Sequence, residues 1–405
     1  MCRFLGPHAL TAPSVAPPGP TASSDEENVL LSASDTRARQ ATRWRGNRGK
    51  NQNLAEPMRP SSTSLSPAAP KSAGGSVVVF GEVLCDLFGS SVGPLAEATH
   101  LLPRLGGAPA NVAVQLARLG VPTTLITAVG VDPFGTRLRA ELQREGVNVD
   151  AVQCVPSRRT GVTLVEVDAD GERRFFGFRE NSADLSFDVD DLDIAAVRLA
   201  LRTAALLHTG TVSLRSASSR RATRALQKSA RRQGTLVSLD VNLRFGMFPS
   251  LPVLLRLANT AVRAADIVKA TREEAMALLG TQASDVDLAT GLLKRGPSLV
   301  LLTFGDEGCL LATTRRQVRL RPSQHVDNVD ATGAGDAFVG AALAWLSRRS
   351  LDRHGLEGLD DDDLGDLGLQ AGLAGAAVVQ VVGATAGMLT HAGLSQAVAA
   401  ARAKS

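Results

Sequence analysis

Short apolar runs recur along the chain and alternate with longer helical stretches. The first run, VVVF (Val77–Phe80), has no polar residue at alternate positions, which is typical of a strand buried on both faces of a parallel sheet. Stretches such as PANVAVQLARLG (Pro109–Gly120) separate these runs. The alternation predicts an α/β fold in which helices cover both faces of a mostly parallel sheet, with ligands beyond the carboxyl ends of its strands. The other runs lie at Thr124–Gly130, Ala205–Gly210, Thr235–Asn242, Asp266–Ala270 and Ser298–Gly305.

Two segments depart from this alternation and predict a small β lid. TGVTLVEVDADGERRFFGF (Thr160–Phe178) has the pattern of two alternating strands joined at Asp170-Gly171. A second extended segment, Pro94–Leu105, precedes the first helix. We therefore expect lid segments near residues 94–105 and 158–180; a surface hairpin without a role is the alternative.

Residues 1–75 are rich in Pro, Ser, Ala and Arg and have no sustained apolar period, which predicts a disordered extension before a folded domain at 76–395. The extension holds nine Lys or Arg and five Asp or Glu, which equals the net charge of +4 of the whole chain. The folded part is thus formally neutral, which argues against a nucleic-acid partner. The extension is either an organelle-targeting peptide or a plain tail, so we expect a cytoplasmic or plastid location. Four cysteines without CxxC spacing favour a reducing compartment.

Two further stretches bear on membranes and calcium. Residues Ala371–Leu389 are apolar, but their Ala, Gly and Val content predicts a buried helix running into a strand rather than a membrane span. The acidic run Asp360–Asp363 lacks the glycine and final glutamate of a calcium loop, and we expect a solvated loop there.

The segment VDNVDATGAGDAFVGAALAWL (Val326–Leu346) carries the strongest chemical signal. Its small residues lead into an apolar helix that begins near Asp336. Glycines let backbone N–H groups approach a ligand, and a helix N-terminus favours negative charge. Such a cradle suits a phosphate, and an ionised acid beside it can accept a hydroxyl proton. By spacing alone, Asp336 is equally an N-cap.

A second glycine turn lies in LGGAPANVAVQLARLG (Leu105–Gly120). Gly106-Gly107 precedes a helix whose first turns hold Asn111, and an amide both donates and accepts hydrogen bonds, as a polyhydroxy ligand requires. A helix cap is the alternative.

GGAPANVA and DATGAGDAF resemble the two signatures of the PfkB carbohydrate kinases, and the resemblance extends from Val77 to Thr390, nearest to the fructokinase and 2-keto-3-deoxygluconate kinase branch. It implies a ribokinase-like three-layer sandwich with a β lid. It also implies transfer of the ATP γ-phosphate to a sugar hydroxyl, with Mg²⁺, and fructose as the foremost acceptor. The alternatives are another sugar, including the keto-deoxy acid, or a scaffold protein with little activity. Sugar and ATP are the expected partners, without a membrane, and a homodimer is left open.

The resemblance also assigns individual residues. Asp336 matches the catalytic base, and the backbone of Gly333, Ala334 and Gly335 matches the anion hole. The sugar-binding positions are Asp86 on the family's first strand, Gly107, Asn111, the lid arginine Arg179, and Asn242 and Arg244 of DVNLR.

At the nucleotide end, Thr303, Gly305 and Gly308 match the turn that flanks the nucleotide. Glu274 matches the glutamate that orients water on Mg²⁺, although Thr271 stands where the family motif has asparagine. Asp330 matches a monovalent-cation ligand, for K⁺. Residues Leu373–Met388 depart from the family pattern and leave the adenine contacts unassigned.

Overall fold

The computed structural model describes residues 75–403, except residues 92, 169–172, 323–325 and 327–328. The predicted extension, apart from Gly75, and the predicted turn at Asp170-Gly171 lie outside the described residues. Gly75 belongs to the fold, because its N–H donates to the carbonyl of Ser347 at 3.0 Å.

The strands and helices of the described residues follow in chain order. The strands are β1 (Ser76–Phe80), β2 (Leu84–Gly89), β3 (Leu101–Gly106), β4 (Thr123–Gly130), β5 (Val152–Val155), β6 (Val162–Val167), β7 (Arg173–Phe178), β8 (Ala204–Gly210), β9 (Leu236–Asp240), β10 (Ile267–Thr271), β11 (Leu299–Thr303), β12 (Cys309–Thr313) and β13 (Gln317–Leu320). The helices are α1 (Ala108–Arg118), α2 (Pro133–Arg144), α3 (Ala195–Thr203), α4 (Ala217–Arg232), α5 (Leu251–Ala264), α6 (Arg272–Leu279), α7 (Asp285–Leu293), α8 (Ala334–Ser347), α9 (Arg353–Glu357), α10 (Asp361–Val378) and α11 (His391–Arg402).

Nine strands form the main sheet in the order β13-β12-β11-β10-β9-β8-β1-β4-β5. All neighbours from β11 to β5 are parallel, and β12 and β13 add an antiparallel edge. The six apolar runs are confirmed as the strands β1, β4 and β8 to β11. Val77 and Val79 face a core shared with α1, α2, α8, α10 and α11, whereas Val78 and Phe80 face a core shared with α3 to α7. Burial on both faces explains why the runs have no polar alternation.

Four strands form the smaller sheet, in the order β3-β2-β6-β7. The predicted segments supply β3, β6 and β7, and β6 pairs antiparallel with β7 from Val162↔Phe178 onward. The fourth strand, β2, carries Asp86. The chain turns away after β1 at Gly81, where φ is 158° and a Cβ would lie 2.3 Å from Pro109 Cγ. Asp86 therefore belongs to the smaller sheet.

Three expectations at the C-terminal end were wrong. The acidic run is not a loop: Asp360 caps α10 by accepting from Asp363 N at 2.8 Å, and carboxylates are stabilised at a helix N-terminus. No strand follows α10, because turns at residues 380–387 take its place. The domain does not end at 395, since α11 continues to Arg402, which pairs with Asp366 at 2.7 Å. Among the described residues, no helix has the length and apolar character to span a membrane.

Candidate active site

Two glycine turns bring the starts of α1 and α8 close to other backbone segments. Gly107 precedes α1 with φ 99°, and a Cβ there would lie 2.6 Å from the carbonyl oxygen of Glu82. Gly333 precedes α8 with φ 83°, and a Cβ there would lie 2.5 Å from the carbonyl oxygen of Ala384. Both positions require glycine, because any side chain would clash and would also be strained at positive φ.

Asn111 and Asp336, which the sequence separates by 225 residues, meet between these helix starts. The Asn111 Nδ2 donates to Asp336 Oδ2 at 2.8 Å, while Asn111 Oδ1 is buried without a donor. Asp336 is 9% exposed, and burial raises its pKa to about 7, against the opposing hydrogen bond from Asn111. We expected Asp336 to remain ionised; at neutral pH the carboxyl is instead divided between its two forms, because desolvation disfavours the charge.

A buried lysine, which the sequence reasoning missed, lies beside this acid. Lys269 on β10 places its Nζ 3.1 Å from Asp240 Oδ1 at the end of β9. This ion pair joins the neighbouring strands β9 and β10. Burial acts to lower the pKa of Lys269, but Asp240, Glu274 and Asp336 outweigh it and raise that pKa. The ammonium is therefore charged at neutral pH. The available signal was a lysine inside an apolar run, where a charge needs a partner.

Asp86 and Glu82 form an acidic wall beside the smaller sheet. Burial raises the pKa of Asp86 to about 6, although Arg179 and a hydrogen bond from Thr163 act to lower it. Gly106 is required next to Asp86, because a Cβ there would lie 2.0 Å from Asp86 Oδ2. Glu82 is buried, its Oε2 has no hydrogen-bond partner, and burial raises its pKa. Both acids therefore gain from any ligand that donates hydrogen bonds.

Two arginines face this wall, and they differ in their pairing. Arg179 is buried and its Nη2 lies 2.6 Å from Asp184 Oδ2. Arg244 is exposed and acts electrostatically on Glu82, Asp86 and Asp336. The charge of Arg244 thus acts to lower the pKa of both the predicted sugar-binding acid and the predicted base.

Asn242 precedes Arg244 with φ 31°, which is unusual for a residue other than glycine. Its carbonyl accepts from Thr211 Oγ1 at 3.2 Å. This contact holds the DVNLR loop, which leads directly into a short 3-10 helix at Phe245–Met247. The loop is therefore fixed by its backbone, and its arginine is left facing solvent.

A cavity of about 890 Å³ extends from the β11–β12 turn to the start of α8. Thr303, Gly305 and Gly308 line it at one end, and Ala334 and Gly335 line it at the other. Gly308, with φ 101°, leaves no room for a Cβ, which would lie 2.1 Å from the Leu320 carbonyl oxygen. A single cavity thus contacts both the predicted nucleotide turn and the predicted anion hole.

Glu274 has a structural task in addition to its predicted one. It forms a capping box with Thr271, whose N–H donates to Glu274 Oε2 at 2.9 Å, and its Oε1 accepts from Leu243 N at 2.7 Å. Threonine caps a helix as asparagine does, which explains why the departure at 271 is tolerated. Glu274 thereby ties α6 to the DVNLR loop.

Asp330 is buried and fully engaged. Its Oδ1 accepts from Thr332 N at 2.7 Å, its Oδ2 accepts from Gly383 N at 2.6 Å, and the guanidinium of Arg173 pairs with it from the lid strand β7. The positive charge that K⁺ would bring is thus already supplied by this chain. These residues do not fit a K⁺ site, and no step of the reaction passes through one.

Comparisons with known proteins agree with this geometry. A family model described as pfkB family carbohydrate kinase matches residues 75–391. Fructokinase-1 of Zea mays is 37% identical over 66% of this chain and 81% of its own length. The structure of fructokinase with bound ATP from Xylella fastidiosa superposes with a TM-score of 0.73 and 28% identity, over 80% of this chain and 98% of that one. A fructokinase double mutant from Vibrio cholerae O395, with fructose, ADP and potassium ion bound, superposes with a TM-score of 0.70 and 32% identity, over 80% and 98%.

Proposed function

The chain belongs to the pfkB family of carbohydrate kinases, and from that premise we propose that it transfers the γ-phosphate of ATP to a hydroxyl group of fructose. Its family makes it an ATP-dependent sugar kinase with a ribokinase-like fold. The resemblance found in the two glycine-containing signatures is thereby confirmed. The identity of the sugar and the roles of single residues are the parts that we propose.

Proton transfer is assigned to Asp336. In the reaction, the sugar hydroxyl oxygen bonds to the γ-phosphorus, the bond between that phosphorus and the ADP oxygen breaks, and the hydroxyl proton moves to Asp336. A base with a pKa near the operating pH is suited to this task. The start of α8, where Ala334 and Gly335 line the cavity, places the positive end of the helix dipole beside the space for the transferring group. Positioning and charge stabilisation supply most of the rate in such transfers.

Mg²⁺ fits the residues at the nucleotide end in a limited way. Asp240 has a buried carboxylate paired with Lys269, and Glu274 lies close enough to raise the pKa of the same lysine. No group of three or more His, Cys, Asp or Glu among the described residues could hold a metal. Mg²⁺ is commonly held by substrate phosphates and one or two carboxylates, and we assign Asp240 and Glu274 to this role. Bound there, it would neutralise charge on the phosphates.

The preference for fructose over the keto-deoxy acid rests on the charge at the sugar end. Glu82, Asp86 and Asp184 surround Arg179, so its guanidinium is already paired. A substrate carboxylate would enter beside these acids, and among the described arginines that act on them Arg244 is the exposed one left to pair with it. An unpaired buried charge is costly, whereas hydroxyl groups can donate to Asp86 and to Asn111 Oδ1. This paired arginine is the observation that carries the choice of a neutral sugar.

A coupled assay of ADP release over a panel of sugars tests the proposal. Fructose, glucose, ribose and 2-keto-3-deoxygluconate are compared by kcat/KM, and we expect fructose to give the highest value. Arg244→Ala and Arg179→Ala are measured on fructose and on the acid. A higher wild-type kcat/KM on the acid, lost selectively in either arginine variant, would overturn the choice of sugar and leave the kinase assignment intact.

A further inference from the structure

Lys269 is buried directly beneath the start of α8. A Cβ built on Gly335 would lie 3.2 Å from Lys269 Nζ, so the ammonium lies under the backbone that forms the predicted anion hole. Lys269 also lines the same cavity as Thr303, Gly305 and Ala334. A charged nitrogen therefore borders both the space for the nucleotide and the cradle for its terminal phosphate.

The donors of this ammonium are not used up by the protein. An ammonium has three N–H donors, and the ion pair with Asp240, at 3.1 Å, engages one of them. Because Lys269 also lines the cavity, its remaining donors are available to a ligand there.

The acids around Lys269 explain why a cation with free donors is useful at this place. Asp240, Glu274 and Asp336 all act on Lys269, so three acids lie near the place where the phosphates of ATP would enter. Phosphate groups beside three acids repel them, and one fixed cation at that point offsets part of the repulsion. The backbone cradle alone carries only partial charges.

We propose that Lys269 binds the γ-phosphate of ATP and keeps contact with the phosphoryl group as it moves to the acceptor. The inference rests on the proposed kinase reaction and adds a residue that touches the reacting group. It predicts that Lys269 distinguishes ATP from ADP, since only ATP carries the γ-phosphate.

Calorimetric titrations with ATP and with ADP, each with Mg²⁺, test the assignment without any sugar. In Lys269→Met we expect the affinity for ATP to fall about 10- to 100-fold, the size of a lost hydrogen bond to a charged group, while the affinity for ADP changes less than about threefold. Lys269→Arg, which keeps the charge, should retain most of the preference for ATP. Lys228→Met on the exposed face of α4 is the matched control and should match the wild type.

Each outcome decides the question. Equal losses for ATP and ADP, or an unchanged ratio in a folded Lys269→Met protein, would show a structural role and overturn the proposal. If Lys269→Met does not fold, the double variant K269M/D240N is compared with D240N alone. The ratio of the affinities for ATP and ADP is measured in both. If the wild type phosphorylates no sugar while Lys269→Met still loses ATP selectively, the proposed reaction fails and the phosphate contact stands.

Discussion

Asp336 is held at the start of α8, largely out of contact with water. The fold keeps it there through Gly333, which allows α8 to begin against Ala384, and through the amide of Asn111. Burial raises its pKa to about 7, so near neutral pH the group can take up a proton and later release it. The same burial has consequences for both activity and stability.

Activity should rise with pH because the base must be ionised. We expect kcat/KM to increase about tenfold per pH unit below about pH 7 and to level off above it. A second, lower step belongs to Asp86, whose pKa is about 6, and Asp86→Asn should remove that step alone. The profile is measured at constant ionic strength with saturating cosubstrate. An acid limb centred near pH 4, the ordinary range of an aspartate, would contradict the role of burial.

Stability should show the opposite trend. Since the folded-state pKa of Asp336 lies above its ordinary value, the folded protein binds more protons than the unfolded chain between about pH 4 and pH 7, and stability falls as pH rises through this window. Asp336→Asn carries no such charge. Its melting temperature at pH 8 should exceed that of the wild type by roughly 2 °C or more, and the difference should shrink at pH 5. A lower melting temperature for the variant at pH 8 would count against this account.

Sequence patterns predicted some of the secondary-structure elements and not others. The central strands were predictable, because burial on two faces leaves an apolar run that few other structures produce. The place of β2 was not, since Ser76–Gly89 is mostly apolar on both sides of the turn at Gly81, which separates β1 from β2. The segment after α10 was misjudged for a similar reason. Its Val-rich composition suggests a strand, but Gly383 has φ 109° and donates to Asp330.

Gly333→Ala should damage the cradle. The added Cβ would lie 2.5 Å from the Ala384 carbonyl oxygen at a backbone φ of 83°, so α8 must shift. We expect a loss of stability of about 1 to 3 kcal/mol, with a larger loss of kcat, by urea unfolding and steady-state kinetics. Gly365→Ala in α10 is the control: nothing lies within 4 Å of its Cβ, and it should gain about 0.5 to 1 kcal/mol. Equal effects of the two substitutions would remove the special role of Gly333.

The whole site is assembled from distant parts of the chain. Asn111 comes from the first helix, Lys269 from the middle of the sheet and Asp336 from α8. Spacing in the sequence could not reveal these contacts. The resemblance to a family assigned roles to Asn111 and Asp336 without pairing them, and the signal for Lys269, a lysine inside an apolar run, was missed. The pairing of Arg179 with Asp184 and of Asp330 with Arg173 also required coordinates, because each ion pair depends on how the lid strands lie.

Removal of residues 1–74 should leave catalysis unchanged. Gly75, the first residue that the structure describes, donates to the carbonyl of Ser347, and the predicted site residues all follow it. We expect the truncated protein to keep kcat and KM within about twofold, while a fluorescent fusion of the full chain and of the truncated chain reports whether the extension directs location. Failure of the truncated protein to fold would place the domain boundary earlier.

The most direct test of the central claim is the turnover of fructose by the wild type and by Asp336→Asn. ATP is supplied as the phosphoryl donor, and fructose phosphate is quantified as the product. The account predicts fructose phosphate and ADP in equal amounts from the wild type. It also predicts a kcat lower by about 100- to 10,000-fold in the variant, with ATP affinity nearly unchanged, as for a lost general base. Near-normal kcat in a folded Asp336→Asn protein, or no fructose phosphate from the wild type, would contradict it.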